Sequence, residues 1–127
     1  METIQREKLI QAYLEAYNTQ NVEGMVAPLH EDVVFENFSS GTQTHTFHGK
    51  TAFRKQAEKA LGYFSSRKQT IKSIQHLSEE TQVEISYWAI AAIDFPNGIQ
   101  KGQEITLDGK SVFRFSEEKI LSITDYA

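Results

Sequence analysis

The sequence predicts an α+β domain in which a strongly bent antiparallel sheet wraps around three N-terminal helices and encloses a pocket. Three observations predict it. Apolar side chains recur at three- and four-residue spacing through much of the first half of the chain, and one strand-like run, VVFENF, interrupts them. Beyond that half, long segments rich in Ile, Val, Phe, Tyr and Trp alternate with short turn-forming ones.

Residues 4–18 form the first expected helix, because Ile10, Tyr13, Leu14 and Tyr17 share a face while Gln11 and Glu15 fall elsewhere. Two tyrosines therefore lie on its buried face. Asn21 caps a short second helix with Val22, Met25, Val26 and Leu29 inward, and Pro28 ends or distorts its last turn. VVFENF follows as the first strand. Residues 39–48 are polar, with a Gly and several Thr, and read as a loop of the length that often borders a binding site.

Thr51 is the expected cap of a third helix, whose stripe is Phe53, Ala57, Ala60, Leu61 and Phe64; Gly62 weakens it by about 1 kcal/mol. Residues 69–77, 82–93, 104–115 and 119–126 then read as strands of an antiparallel meander, with turns at 78–81, 95–98 and 116–118. Asp108-Gly109 fits a tight hairpin or a bulge, and the bulge inside one long bent strand is preferred. No internal repeat, low-complexity segment or linker is visible, so residues 1–127 are expected to be one domain.

A chain of 127 residues buries roughly two-thirds of the surface its unfolded form exposes, enough for one real core. The 17 acidic and 13 basic residues, net charge −4, form no block of either sign. A nucleic-acid partner is therefore not expected. With no cysteine there is no disulfide, thiolate nucleophile or thiolate metal site. The start METIQREKLIQ lacks the apolar run of a signal peptide, and nothing approaches the roughly 20 apolar residues that span a bilayer. The expectation is a soluble cytoplasmic protein with no membrane partner.

The stretch AYLEAYNTQNVEGMVAPLHEDVVFEN, the HGKTAFRKQ start of the third helix and the ending SVFRFSEEKILSITDYA resemble the nuclear transport factor 2-like superfamily. Within it they look most like the small bacterial SnoaL-like polyketide cyclase and ketosteroid isomerase branch. The resemblance covers nearly the whole chain in element order. It implies a cone-shaped, mixed sheet around a pocket for a small hydrophobic ligand, chemistry without a cofactor, and pairing as homodimers.

On the isomerase pattern, the oxyanion-donating tyrosine falls on Tyr13, the general-base aspartate on Asn37 and a second, protonated aspartate on Ser111. Neither Asn37 nor Ser111 is a carboxyl group. An amide cannot take a proton from carbon, so steroid isomerisation by that route is not expected. On the cyclase pattern, the acid of the last strand falls on Asp125.

Alternation along the last strand puts Ile123, Asp125 and Ala127 on one face and Thr124 and Tyr126 on the other. If the Ile123 face lines the pocket, as the resemblance implies, Asp125 lies among Tyr13, Tyr17, Phe35 and Phe113, where desolvation raises its pKa. The candidate catalytic residues are then Asp125, Tyr13 and Asn37. Asp125 would move a proton next to a carbonyl, as in aldol cyclisation or isomerisation, while Tyr13 or Asn37 polarises the oxygen that gains charge. Tyr17, Phe35, Tyr87, Ser111, Phe113 and Ile123 are the candidate ligand contacts, Tyr87 because it shares parity with Val83 and Ile85. Plainer readings stand beside these: Asp125 as a solvated strand end, the tyrosines as core residues with satisfied hydroxyls, Asn37 bonded to a loop backbone.

Ser86, Trp88, Ile90 and Ala92 fall on the outer sheet face, where an exposed Trp and Ile make a subunit contact the expectation. His45 and His48 lie three apart, but no third ligand is in view, so no metal site is expected. Glu36 and Glu104 read as facing water. Two functions of different class follow. One is a cofactor-free acid/base isomerase or cyclase acting on a small hydrophobic carbonyl compound; the other is a non-catalytic small-ligand binding or dimerisation module. An epoxide hydrolase would need two acids and an Arg in the pocket, whereas one acid is found there and Arg114 has outward parity.

Overall fold

The computed structural model describes residues 1–127, which run α1 (Thr3–Asn18), α2 (Val22–Val26), β1 (Leu29–Ser39), β2 (Thr42–His48), α3 (Lys50–Ala60), β3 (Phe64–His76), β4 (Glu80–Ala91), β5 (Glu104–Ser116) and β6 (Lys119–Tyr126). The six strands make one sheet in the order β2-β1-β6-β5-β4-β3. Every neighbouring pair is antiparallel except β1 and β6, which run parallel. The sheet is therefore mixed, because the chain leaves β1, builds α3 and the meander, and returns with its last strand beside β1. No helix is long and apolar enough to cross a membrane.

The core lies between the helices and one face of this sheet. Ile10, Tyr13 and Leu14 of α1, Met25 and Val26 of α2, and Phe53 and Ala57 of α3 pack with Val83, Ile85, Phe113, Ile120 and Ile123. Burying each large apolar side chain contributes about 1.5–3 kcal/mol. Gly24 allows α2 to cross α1 closely, since a Cβ there would lie 2.9 Å from that of Ala16. Asn21 caps α2 by accepting from the Gly24 N–H at 3.1 Å. At the other end of α1, the buried Arg6 closes the β3–β4 turn by donating to the carbonyls of Leu77, Ser78 and Glu80.

Four local expectations are corrected. Residues 39–48 are not a loop but the tip of a hairpin and the edge strand β2. Nearly all of that strand is exposed, so both its faces are polar and the period-two signal is missing. Ser40 and Gly41, with φ of 52° and 81°, supply its tight turn. Gly49, not Thr51, stands at the N-cap of α3, with a φ of 90°. α3 ends at Ala60, leaving Leu61 exposed, Gly62 outside the helix and Phe64 as the first residue of β3. β3 thus begins well before residue 69.

Asp108-Gly109 makes neither a hairpin nor a bulge: β5 runs through it in unbroken register with β4, from Glu80–Arg114 to Ile90–Glu104. Gly109 is needed there because a Cβ would meet the Tyr126 carbonyl oxygen at 2.7 Å.

Candidate active site

Alternation on each strand assigns the concave face that the helices cover. β6 lies between β1 and β5, so Asp125 is flanked in one cross-strand row by Asn37 on β1 and Ser111 on β5. The next row is Phe35, Ile123 and Phe113. The two positions where the isomerase pattern has its carboxylates thus lie immediately on either side of the carboxylate this chain carries. Phe113 and Ile123 are fully buried and form an apolar floor, while Phe35 is half-buried against Phe47 and Phe53.

Asp125 is not a frayed strand end. Beyond it, the Ala127 N–H donates to the Phe38 carbonyl and the Ala127 carbonyl accepts from the Ser40 N–H. Ser111, itself 4% exposed, donates its hydroxyl proton to Asp125 Oδ1 at 2.6 Å. Burial pushes the Asp125 carboxyl up to about 6, and the Ser111 bond restrains that rise. A carboxyl poised there exchanges its proton near neutral pH.

Tyr13 stands across from this row on α1, with its ring 6.2 Å from those of Phe53 and Phe113. Burial, and then the charge of Asp125, push its phenol well above the usual tyrosine range, while Arg67 opposes them. It therefore stays a donor. Its hydroxyl is bonded to no protein group, nor is it among the sealed, unpartnered polar atoms. Asn37 reaches the same row, but its amide nitrogen donates to the Thr44 hydroxyl at 2.8 Å. His45, its partner across the hairpin, stacks on Phe47.

Tyr17 and Tyr87 form a second cluster on the same face, hydroxyl to hydroxyl at 3.4 Å. Burial pushes the phenols of both upward. Beside them lies Arg67, which the sequence reading missed. β3 starts at Phe64, five residues before the expected 69, and Arg67 on that added stretch has the inward parity of Gln69 and Ile71. Arg114 keeps its outward place and pairs with Glu80 at 3.1 Å.

Two of the molecule's surface clefts stand out. One, of about 390 Å³, lies where β6 ends, lined mostly by the outward-facing Glu84, Asp108, Lys110 and Tyr126 with Lys72, and by Ile85, Gly109 and Ala127 of the other parity. Asp125 does not line it, but Gly109 and Ala127 each lie two residues along their strands from the Ser111–Asp125 pair. The other, of about 350 Å³, lies on the outer face among Glu36, Glu80, Arg114 and Thr124. Trp88 is also on that face, half-buried, and donates Nε1–H to Glu104 at 2.8 Å.

Residues 10–123 match the family described as the SnoaL-like domain. No curated protein matches the chain in sequence. Among solved structures, it is similar to a candidate polyketide cyclase of Xanthomonas campestris pv. campestris, with 20% identity, 97% of this chain and 90% of that one covered, and a TM-score of 0.81. It is similar to an LEH-like epoxide hydrolase of M. tuberculosis at 18% identity, covering 99% and 84% with a TM-score of 0.79. A hypothetical protein with a ketosteroid isomerase-like fold from Catenulispora acidiphila, in complex with trimethylamine, is 15% identical over 94% and 84%, with a TM-score of 0.77. At such identities the likeness shows a shared fold.

Proposed function

The chain belongs to the SnoaL-like domain family, and we propose that it binds a small hydrophobic carbonyl compound on its concave face and isomerises or cyclises it by acid/base catalysis without a cofactor. The observation that carries this reading is Asp125, a carboxyl raised to about 6 by burial and oriented by Ser111. The ionised carboxylate takes a proton from the carbon beside the carbonyl. Tyr13, protonated and with a free hydroxyl, donates to the enolate oxygen that forms. The carboxylic acid then returns the proton, to a different carbon in an isomerisation or to the new alkoxide when the enolate carbon attacks a second carbonyl.

A second reading, a binding or dimerisation module without catalysis, draws on the residues flanking Asp125: Asn37 and Ser111 stand where two further carboxylates would support an isomerase. An epoxide hydrolase has less support, because Asp125 has no acid beside it in its row. The outer sheet face, with Trp88 and Ile90 partly accessible, is the surface through which we expect two copies to pair.

Proton transfer can be read without knowing the natural substrate. Wild-type protein should exchange the α-protons of hydrophobic cyclic ketones such as 2-tetralone for deuterium, and Asp125→Asn should lose that exchange while remaining folded. Equal exchange by both proteins would remove Asp125 from the mechanism; binding without exchange would favour the non-catalytic module.

A further inference from the structure

Two arginines are buried in this molecule, and they are held differently. Arg6, 7% exposed, has both terminal nitrogens occupied: Nη1 donates to the carbonyls of Leu77 and Glu80, and Nη2 to that of Ser78. Its charge is met by a cup of carbonyls, and its place is structural.

Arg67, 5% exposed, lies on the concave face opposite Ala89. Its Nε–H donates to the Tyr17 carbonyl at 2.9 Å, its Nη2 reaches only the Met25 sulfur at 3.7 Å, and its guanidinium lies 3.8 Å from the centre of the Tyr17 ring. None of the molecule's ion pairs includes it. Of the five N–H donors of a guanidinium, three have no acceptor here, both of those on Nη1 among them. Nor is Nη1 sealed off: the buried unpartnered polar atoms are Arg6 Nε, Gln20 Oε1 and His76 Nε2. It keeps some accessible surface.

A guanidinium withdrawn from water without an anion is costly, and a neutral side chain of similar length would pack on Met25 and Tyr17 without that cost. Arg67 also shares its surroundings with the acid. Tyr13 feels both charges, Asp125 raising its phenol and Arg67 lowering it, so both groups lie within electrostatic reach of one donor.

We propose that the ligand of the concave face is an anion, whose planar carboxylate or enolate oxygens take the free Nη1 edge of Arg67 while its apolar body extends toward Asp125. This rests on the reading of the concave face as a ligand site and narrows the class to small aromatic or alicyclic carbonyl compounds that carry an anionic oxygen. A planar oxyanion matches the guanidinium fork, and the Tyr17–Tyr87 hydroxyl pair lies close enough to Arg67 to feel its charge.

The test is calorimetric titration of the intact protein with 2-naphthoate and with its neutral isostere 2-naphthamide. Naphthoate should bind about tenfold more tightly or better and shift the Arg67 Nε–H resonance. Arg67→Gln should abolish the preference and leave the amide's affinity unchanged. Equal affinities in the wild type, or a preference that survives in Arg67→Gln, overturn the anion and leave the ligand site standing. Failure of both compounds to bind removes the ligand site and this inference with it. The wild-type comparison and the Arg67 resonance need no variant, so a misfolded Arg67→Gln does not protect the inference.

Discussion

Ser111 donates to Asp125 Oδ1 at 2.6 Å across the β5–β6 pair, and Asn37 stands on the other side of the same carboxylate in the β1–β6 register. The carboxyl settles at about 6 because burial raises it and the Ser111 bond, which favours the ionised form, lowers it. Ser111→Ala removes the lowering influence. The Asp125 midpoint in a carboxyl-carbon NMR titration should then rise by about one pH unit; an unmoved midpoint would show that Ser111 does not bond the ionised group.

The same carboxyl links stability to pH. Its ordinary value is 3.8 and its folded value about 6, so between these the folded state holds more protons and stability falls as pH rises, levelling off above about 6. At pH 8 the ionised group costs at most roughly 3 kcal/mol. Asp125→Asn is expected to raise Tm at pH 8 and to raise it much less at pH 4. A gain that is the same at both would exclude the raised folded value.

Tyr13→Phe removes a hydroxyl that bonds no protein group, so denaturant unfolding should change by less than about 1 kcal/mol. Exchange of ketone α-protons should nonetheless slow by about 100-fold, the loss of one donor to the developing oxyanion. A large fall in stability with unchanged exchange would make the hydroxyl structural.

Arg6→Met removes the side-chain donor of the Leu77, Ser78 and Glu80 carbonyls, of which that of Glu80 keeps the Leu77 N–H. The expected cost is about 3 kcal/mol in chemical denaturation. Because Arg6 lies at the far end of α1 from Tyr17, naphthoate binding by the folded variant should be unchanged, which separates this arginine from Arg67.

Pairing through the outer sheet face predicts a dimer mass for the wild type in sedimentation and a monomer mass for Trp88→Glu. A monomeric wild type, or a dimer indifferent to Trp88→Glu, would refute that interface.

By itself the sequence determined most of the order of helices and strands, and with it that Ile123 and Asp125 share one face of the last strand, because buried strands such as β4 and β6 must alternate to keep one face dry. It could not show β2, an edge strand polar on both faces, nor the early start of β3 in the polar run SSRKQ, since neither leaves an alternating apolar signal. The tertiary structure alone decided which residues meet. β6 returns between β1 and β5, and so places Asn37 and Ser111, 74 positions apart in the chain, on either side of Asp125. The five added residues of β3 place Arg67 on its inward face. Those neighbours come from pairing between distant strands, a long-range choice made by the packing of the whole sheet on its helices, which no local pattern of side chains encodes.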